Sequence, residues 1–467
     1  MIPTGQKLLK VVSELNSKKI AVFGDLILDQ YTWSEIGRIS PEAPIPVALV
    51  KDIEYRGGGA ACTALNLLAL ENQVSIFGII GQDFYGNQLN NLLKDAGADT
   101  EGLIIKADYQ TTLKNRVLTH QQQIIRIDLE KIESINEADE QNVIKHFQKN
   151  IQSFSAVLIS DYSKGFLSVG LIKTIIEISN EFKIPVIVDP GKGRDPSIYK
   201  GVTVIKPNRI EAAMVSEQPL IDNNSILAAA ESIKKSTDCD FVTLSLDKDG
   251  VLLYKNENSH IFYTTTKRDV FDITGAGDSF VSMLTAILAD GGTPECAVAL
   301  ANIGAGLSVT RQGVAMISKE EITKELKAII SNTKIISIDE IITARSQYRS
   351  PLPLVFVNGM FDDLSTDQLL FVNKLEKFKG DIVIAINSDE SIKKHGRLPK
   401  MPQSLRMKVL AGIEHISWIV IFDEICASEL IRKLKPDIVV KGKRHIDSEI
   451  LEQTAIDEVG ARLEMIL

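Results

Sequence analysis

Short apolar runs that end on a polar residue recur along this chain. Residues 19–24 run into Asp25, residues 156–160 into Asp161, residues 186–188 into Asp189 and residues 202–205 into Lys206. Each run is too short and too uniformly apolar for a surface helix and fits a strand buried on both faces. Helically spaced stretches lie between them, such as residues 169–182. Alternating strands and helices predict an α/β fold with a doubly wound sheet, its site at the carboxyl ends of the strands. Two regions depart from this rhythm. Residues 43–50 and 111–129 are β-rich and partly alternating, as in Leu113-Lys114-Asn115-Arg116-Val117-Leu118. They predict a small antiparallel β lid beside the site, although ordinary edge hairpins share the periodicity.

A charged helical pattern covers residues 317–330, and residues 331–350 are polar and lead into Pro351 and Pro353. That stretch reads as a connector. The β/α rhythm then restarts at Leu354-Val355-Phe356-Val357 and returns at residues 381–386, 418–422 and 437–440. The expected layout is a first domain over residues 1–325, a linker over 326–352 and a smaller α/β domain over 353–467. A chain of 467 residues exceeds what one core usually holds.

Composition narrows the class of protein. Apolar residues make up 44% and charged residues 24%, with a net charge of −9. This is ordinary for a globular protein and argues against a nucleic-acid surface. No run is long enough to span a bilayer, and the first residues lack the apolar segment of a secretion signal. Cys62, Cys239, Cys296 and Cys426 are scattered, without the spacing of a zinc site or a disulfide framework. A cytoplasmic protein is expected, with neither nucleic-acid nor membrane partners.

The densest chemistry lies in Asp272-Ile273-Thr274-Gly275-Ala276-Gly277-Asp278-Ser279, followed by an apolar helical run. Two glycines and an alanine leave a nearly bare backbone whose amides can face an anion at a helix start. Asp278 follows at once, placed to take a proton from an attacking hydroxyl. A glycine turn capped by Asp278 gives the same pattern. Elsewhere, Gly57-Gly58-Gly59 precedes a helical stretch and allows close approach to a sugar, or simply makes a turn. Asp25 and Asp29 flank the end of the first strand and can accept bonds from sugar hydroxyls. Lys114, Arg116 and Arg126 put three cations on the lid, suited to a phosphate or to a solvated face. Asn208 and Glu211, three apart at a helix start, suit water-mediated Mg²⁺ binding or a helix cap.

Taken together, residues 1 to about 320 resemble the ribokinase-like (PfkB) carbohydrate kinases, on the Asp-Ile-Thr-Gly-Ala-Gly-Asp segment and Asn208-x-x-Glu211. Residues 38–47, with Ser40-Pro41-Glu42-Ala43-Pro44, resemble the heptose 7-phosphate kinases. So do residues 114–118, 122–128 and Ser160-Asp161-Tyr162-Ser163-Lys164-Gly165. The whole chain is similar to the bifunctional family that joins such a kinase to a heptose 1-phosphate adenylyltransferase in making ADP-heptose for lipopolysaccharide. The resemblance implies ATP and Mg²⁺, with Asp278 as base on the anomeric hydroxyl. It implies an anion hole of Gly275, Ala276 and Gly277, and phosphate and metal contacts from Asn208 and Glu211. It places Ser245, Gly250 and Asn302 near the nucleotide. Asp25, Gly58, Gly59, Lys114, Arg116, Arg126 and Asp128 would face the sugar phosphate or shape its pocket. A homodimer formed through the lid is expected. Cys62 stands where the family usually has Asn, and a thiol poorly replaces an amide that binds a hydroxyl.

In the second domain, Asn358-Gly359-Met360-Phe361-Asp362 resembles the opening of a cytidylyltransferase-like, Rossmann-like nucleotidyltransferase fold. The family follows it with His-x-Gly-His. Here Ser365 and Gln368 stand at the histidine positions and Asp367 replaces the glycine. Losing one such preorganised group typically costs about 10²–10³ in rate. The basic segment around residues 391–397 is short, and the Ser-Thr-Thr element that usually follows the last strand does not occur before Leu467. A retained fold with a degenerate transferase site is the expectation; a site rebuilt on His395 or His445 is the alternative. Rival readings of the whole are a kinase for another sugar phosphate, a bifunctional enzyme with residual adenylyltransferase activity, and a non-catalytic scaffold, against which the intact Asp278 argues.

Overall fold

In a computed structural model, residues 3–119, 122–265, 270–311, 313, 315–348, 352–442 and 450–466 are described. The chain divides into two compact units, Met1–Thr323 and Lys324–Leu467.

The first unit is built on a nine-stranded sheet in the order β13-β12-β11-β10-β9-β8-β1-β4-β5. Its members are β1 (Lys19–Gly24), β4 (Gln73–Gly81), β5 (Leu103–Lys106), β8 (Ala156–Ser160), β9 (Val186–Asp189), β10 (Val204–Ile205), β11 (Phe241–Ser245), β12 (Val251–Asn256) and β13 (Ser259–Tyr263). The strands are parallel up to β11, and β12 and β13 add an antiparallel edge. Every residue of β8 is buried, as its unbroken apolar pattern requires. The helix Val169–Glu181 matches the periodic stretch, its N-cap Ser168 accepting from Leu171 N–H. One face of the sheet packs into a core around Phe23, Phe77 and Phe147, with Phe23 stacked on Phe77 at 4.3 Å.

The lid is a four-stranded sheet, β3-β2-β6-β7, from β2 (Leu26–Ile39), β3 (Pro46–Gly59), β6 (Thr112–Thr119) and β7 (Gln122–Leu129). Two corrections apply. The lid is not wholly antiparallel, because β2 pairs with β6 in parallel. And Asp29, read as flanking the end of the first strand, lies within β2: the chain leaves the main sheet at Asp25 and enters the lid at once. The β-branched and aromatic content of residues 26–33 is the physical reason for that strand.

The second unit is a five-stranded parallel sheet, β16-β15-β14-β17-β18. It comprises β14 (Leu354–Gly359), β15 (Asp381–Asn387), β16 (Trp418–Phe422), β17 (Ile438–Gly442) and β18 (Arg462–Ile466). Strand order reverses at β14, which puts a switch point between β14 and β17. The described part of the stretch read as a polar linker packs with this unit: Ile338–Tyr348 is helical, Ile341 is buried, and Ile335 bridges to Ile419 in β16. Isolated isoleucines in a polar stretch supply this unit with core contacts that an averaged polarity hides.

Candidate active site

The polar residues that close the parallel strands converge at the carboxyl edge of the first sheet. Asp25 is only 2% exposed. It accepts from the backbone N–H groups of Tyr162 and Lys164 at 3.0 Å and of Phe166 at 3.1 Å. Burial raises its carboxyl above the ordinary range, opposed by those amides. Asp25 therefore braces the loop after β8, which shapes the site. Asp161 in turn accepts from Tyr199 Oη at 2.7 Å and pairs with Arg194 at 3.0 Å.

Lys206 and Asp189 form an ion pair of 2.9 Å. Burial lowers the Lys206 ammonium, but Asp189 and Glu211 outweigh it and the group stays above its usual range. Burial lifts Asp189, with Lys206 opposing.

The signature segment forms the turn and first residues of the helix Ala276–Ala289. Asp272 holds the turn: Oδ1 accepts from Thr274 N–H and Oγ1, and Oδ2 from Gly313 N–H at 2.9 Å. Gly275 is the N-cap in the left-handed region at φ 79°, with no side chain capping the helix. The N–H groups of Gly277 and Asp278 have no partner among the described residues, so the positive helix end faces an open edge. A Cβ on Gly277 would meet only Lys206 Nζ, at 3.7 Å. The fold alone does not demand glycine there.

Asp278 is 7% exposed. Its Oδ1 accepts from Tyr162 Oη at 2.6 Å, and the Cys62 thiol lies beside the carboxylate. Burial pushes its carboxyl up, Asp189 adds to this, and Tyr162, Cys62 and Lys206 pull it down, leaving it at about 7. A carboxylate at that value is tuned for proton transfer near neutrality. Cys62 is fully buried, and burial together with Asp278 holds its thiol well above the ordinary range.

The other residues singled out from the sequence fall into three groups. Asn208 and Glu211 form a reciprocal capping box, Asn208 Oδ1 accepting from Glu211 N–H at 2.9 Å and Glu211 Oε2 from Asn208 N–H at 2.8 Å. One Glu211 oxygen remains for another partner, and burial raises this carboxyl. Such a set fits a Mg²⁺ that keeps most of its waters. Asn208 bridges to Ser245, and Gly250, at φ 102°, lies against Tyr263 O, where a Cβ would come within 1.9 Å. Asn302 donates to Thr264 O at 3.1 Å, next to Tyr263, so these four border one edge.

On the lid, strand register aligns Asp29, Lys114 and Asp128 in one row and Tyr31, Arg116 and Arg126 in the next. Arg116 pairs with buried Asp29 at 2.5 Å and lies over the Tyr31 ring. Arg126 pairs with Asp128 at 2.9 Å. Burial lowers the Lys114 ammonium, with Asp29 opposing. Gly58 is the cradle for Asp29, whose Oδ2 would lie 2.5 Å from a Cβ there, and Gly59, at φ 55°, packs on Asp25 O. The glycine run thus serves strand-to-helix packing first. Tyr162, Lys206, Asp189 and Arg56, which also lies over Tyr31, were not assigned from the sequence. A polar residue closing each apolar run was the available signal for Lys206 and Asp189.

At the switch point of the second unit, Lys441 pairs with Glu452 at 2.8 Å and donates to Asn358 Oδ1 at 2.7 Å. Lys441 and Glu452 are both buried. Burial raises Glu452, but Lys441 outweighs it and the carboxyl sits below its usual range. Arg406, fully buried, pairs with Asp389 at 2.6 Å and donates to the carbonyls of Met360 and Asn387. Ser365 is the N-cap of the helix Thr366–Lys374, but its side chain makes no capping bond. Its Oγ and Gln368 Oε1 are buried without a partner among the described residues. His395 contacts Ile425 O; His445 lies outside the described residues.

The first unit has the architecture of a small-molecule kinase, and comparison with known proteins identifies it. The family described as pfkB family carbohydrate kinase matches residues 17–321, and Cytidylyltransferase-like matches residues 358–465. The chain is 35% identical over 455 residues to Bifunctional protein HldE of Citrifermentans bemidjiense, covering 96% of this chain and 93% of that one. It is 34% identical to Bifunctional protein HldE of Aliarcobacter butzleri, covering 95% and 94%. Arabidopsis thaliana ribokinase, solved with ribose and ATP, superposes with TM-score 0.55 at 18% identity over 67% of this chain and 99% of its own. Escherichia coli phosphofructokinase-2 gives 0.55 at 19% over 67% and 98%. These two neighbours show the fold. The chain belongs to the pfkB carbohydrate kinases, in the group of two-domain proteins that carry a cytidylyltransferase-like unit. It is a sugar kinase, and that membership implies ATP as phosphoryl donor. Among the described residues no helix is long and apolar enough to cross a membrane.

Asp25→Ala leaves three main-chain amides, one buried and two part-buried, without an acceptor. It is expected to destabilise the first unit by about 3 kcal/mol, a fall of about 5 °C or more in its calorimetric midpoint. An unchanged midpoint would contradict the bracing role.

Gly277→Ala is expected to keep that midpoint, since alanine is the better helix residue by up to about 1 kcal/mol. It should still lower sugar phosphorylation about tenfold or more by crowding the anion hole. Full activity would show that phosphate does not approach this backbone.

Proposed function

We propose that this protein transfers the terminal phosphoryl group of ATP to the C1 hydroxyl of D-glycero-D-manno-heptose 7-phosphate, in the cytoplasm, as a step toward ADP-heptose. The observation that carries the reading is Asp278, tuned to about 7 at the start of an uncapped helix and beside a cationic lid. Asp278 takes the anomeric proton as the sugar oxygen attacks phosphorus, and ADP leaves. Of the turn Gly275-Ala276-Gly277, Gly277 offers its main-chain amide to the phosphoryl oxygens, joined by the amide of Asp278, whereas Ala276 N–H donates to Ile273 O at 3.3 Å. Lys114, Arg116 and Arg126 suit the 7-phosphate, with Asp128, Gly58 and Gly59 shaping the pocket and Asp25 acting through the loop. Asn208, Ser245, Gly250 and Asn302 border the nucleotide. Asn208 and Glu211 would hold magnesium through water, and the metal would neutralise phosphate charge. The subfamily segments support the heptose, as does the similarity to relatives that span nearly the whole chain. Ile53, Ile125 and Ile127 are exposed on the lid's other face, which supports a homodimer through the lid.

In the second unit we read a retained fold without transferase chemistry, on the neutral Ser365 and Gln368 and the added carboxylate of Asp367. A bifunctional enzyme is the second reading, favoured by the name of the relatives, Bifunctional protein HldE, and by the intact Lys441–Glu452–Asn358 cluster.

Asp278→Asn is expected to lower kcat about 10²–10⁴-fold while ATP affinity, read by calorimetry, stays within a few-fold. Turnover like the natural protein's would sink the base assignment. A screen of sugar phosphates with product position read by NMR tests the substrate.

Incubated with heptose 1-phosphate, ATP and Mg²⁺, the full chain is expected to release no pyrophosphate and form no ADP-sugar. Steady turnover there would establish the bifunctional reading instead.

A further inference from the structure

We propose that Tyr162 is a positioning residue of the kinase site: its hydroxyl fixes one carboxylate oxygen of Asp278 and leaves the other to the sugar hydroxyl, and Asp25 acts through it. The inference rests on the reading of Asp278 as base. Tyr162 is held at both ends. Its backbone N–H donates to Asp25 Oδ2 at 3.0 Å, and Lys164 and Phe166 tie the same loop to the same carboxylate. Its phenol reaches across to Asp278 Oδ1 at 2.6 Å. The short contact runs from the loop after β8 to the helix Ala276–Ala289, so the side chain links the brace of the main sheet to the reacting carboxylate.

The groups that face Asp278 come from four elements. Tyr162 belongs to the loop, Cys62 to the helix Ala60–Ala69, Asp189 to β9 and Lys206 to the segment that follows β10. Cys62 lies beside the carboxylate, its sulfur accepting from Asn66 Nδ2 at 3.4 Å, and Asn66 Oδ1 accepts from Ser279 Oγ at 3.4 Å. Burial and Asp189 favour the protonated acid, whereas Tyr162, Cys62 and Lys206 favour the carboxylate. Removing the phenol takes away a bond made to the charged form. The acid limb of activity must then move to higher pH, because the base is ionised only above its own pKa.

The test uses Tyr162→Phe in the full chain, with D-glycero-D-manno-heptose 7-phosphate and ATP–Mg²⁺. The profile of kcat/KM for the sugar against pH is measured for variant and natural protein. Ionisation of the sugar phosphate is common to both, so a difference belongs to the enzyme. The limb is expected to rise by about one unit, lowering the rate at pH 7 about fivefold, with KM for ATP within twofold. An unmoved limb overturns the proposal, and a uniform loss at all pH values does the same, since it marks a structural role. If Asp278→Asn is inactive while the Tyr162→Phe limb is unmoved, the base stands and only the positioning role falls. If Asp278→Asn turns over normally, the base assignment falls and this proposal with it. Should Tyr162→Phe fail to fold by circular dichroism, Asp25→Asn loosens the same loop without touching Asp278. Its limb must move in the same direction, and an unmoved limb there overturns the proposal equally.

Discussion

A carboxylate buried out of water is forced toward its neutral acid, yet a general base must be ionised to work. In the first unit that conflict falls on Asp278, the base proposed above. Burial and Asp189 push it one way; Tyr162, Cys62 and Lys206 pull it the other, and the balance stands at about 7. No single partner is a full counter-charge at contact distance, because a direct ion pair would hold the proton affinity too low to be useful. Lys206 is instead spent on Asp189, at 2.9 Å.

The same constraint spreads outward along the strand ends. A parallel sheet delivers every closing polar residue to one edge, and each must find a partner there. Asp25 finds three amides, Asp161 finds Arg194 and Tyr199, and Asp189 finds Lys206. The lid continues the pattern, with Arg116 against Asp29. Neutralising the site's own carboxylates leaves the helix start of Ala276–Ala289 and the lid cations to set the field that an anionic substrate meets.

Much of this was legible in the sequence, for identifiable reasons. The strands β1, β8 and β9 came from unbroken apolar runs, and the turn that opens the helix Ala276–Ala289 from glycines next to a carboxylate. Long-range partners were not legible. Tyr162 and Asp278 are 116 positions apart, and no local pattern announces that one donates to the other. Asp25 looked like a sugar ligand because strand-end carboxylates often are; only the fold reveals that amides from the loop after β8 take its oxygens. Residues 334–348 failed for another reason. Their few isoleucines are diluted by polar neighbours, so their core contacts emerge only against β16.

The second unit turns on the same requirement for partnered charge, with a different outcome. Lys441 and Glu452 satisfy each other beneath Asn358, and Arg406 is consumed by Asp389 and backbone carbonyls. These ion pairs hold the ends of β14, β15 and β17 in place, so the sheet keeps its shape whatever stands at positions 365 and 368. Ser365 and Gln368 carry no charge, and each leaves a polar atom buried and unpartnered. Buried polar atoms cost stability unless something satisfies them. The scaffold and the chemistry are therefore separable in this unit. Whatever chemistry positions 365 and 368 support, the buried pairs that tie the strand ends together do not include them.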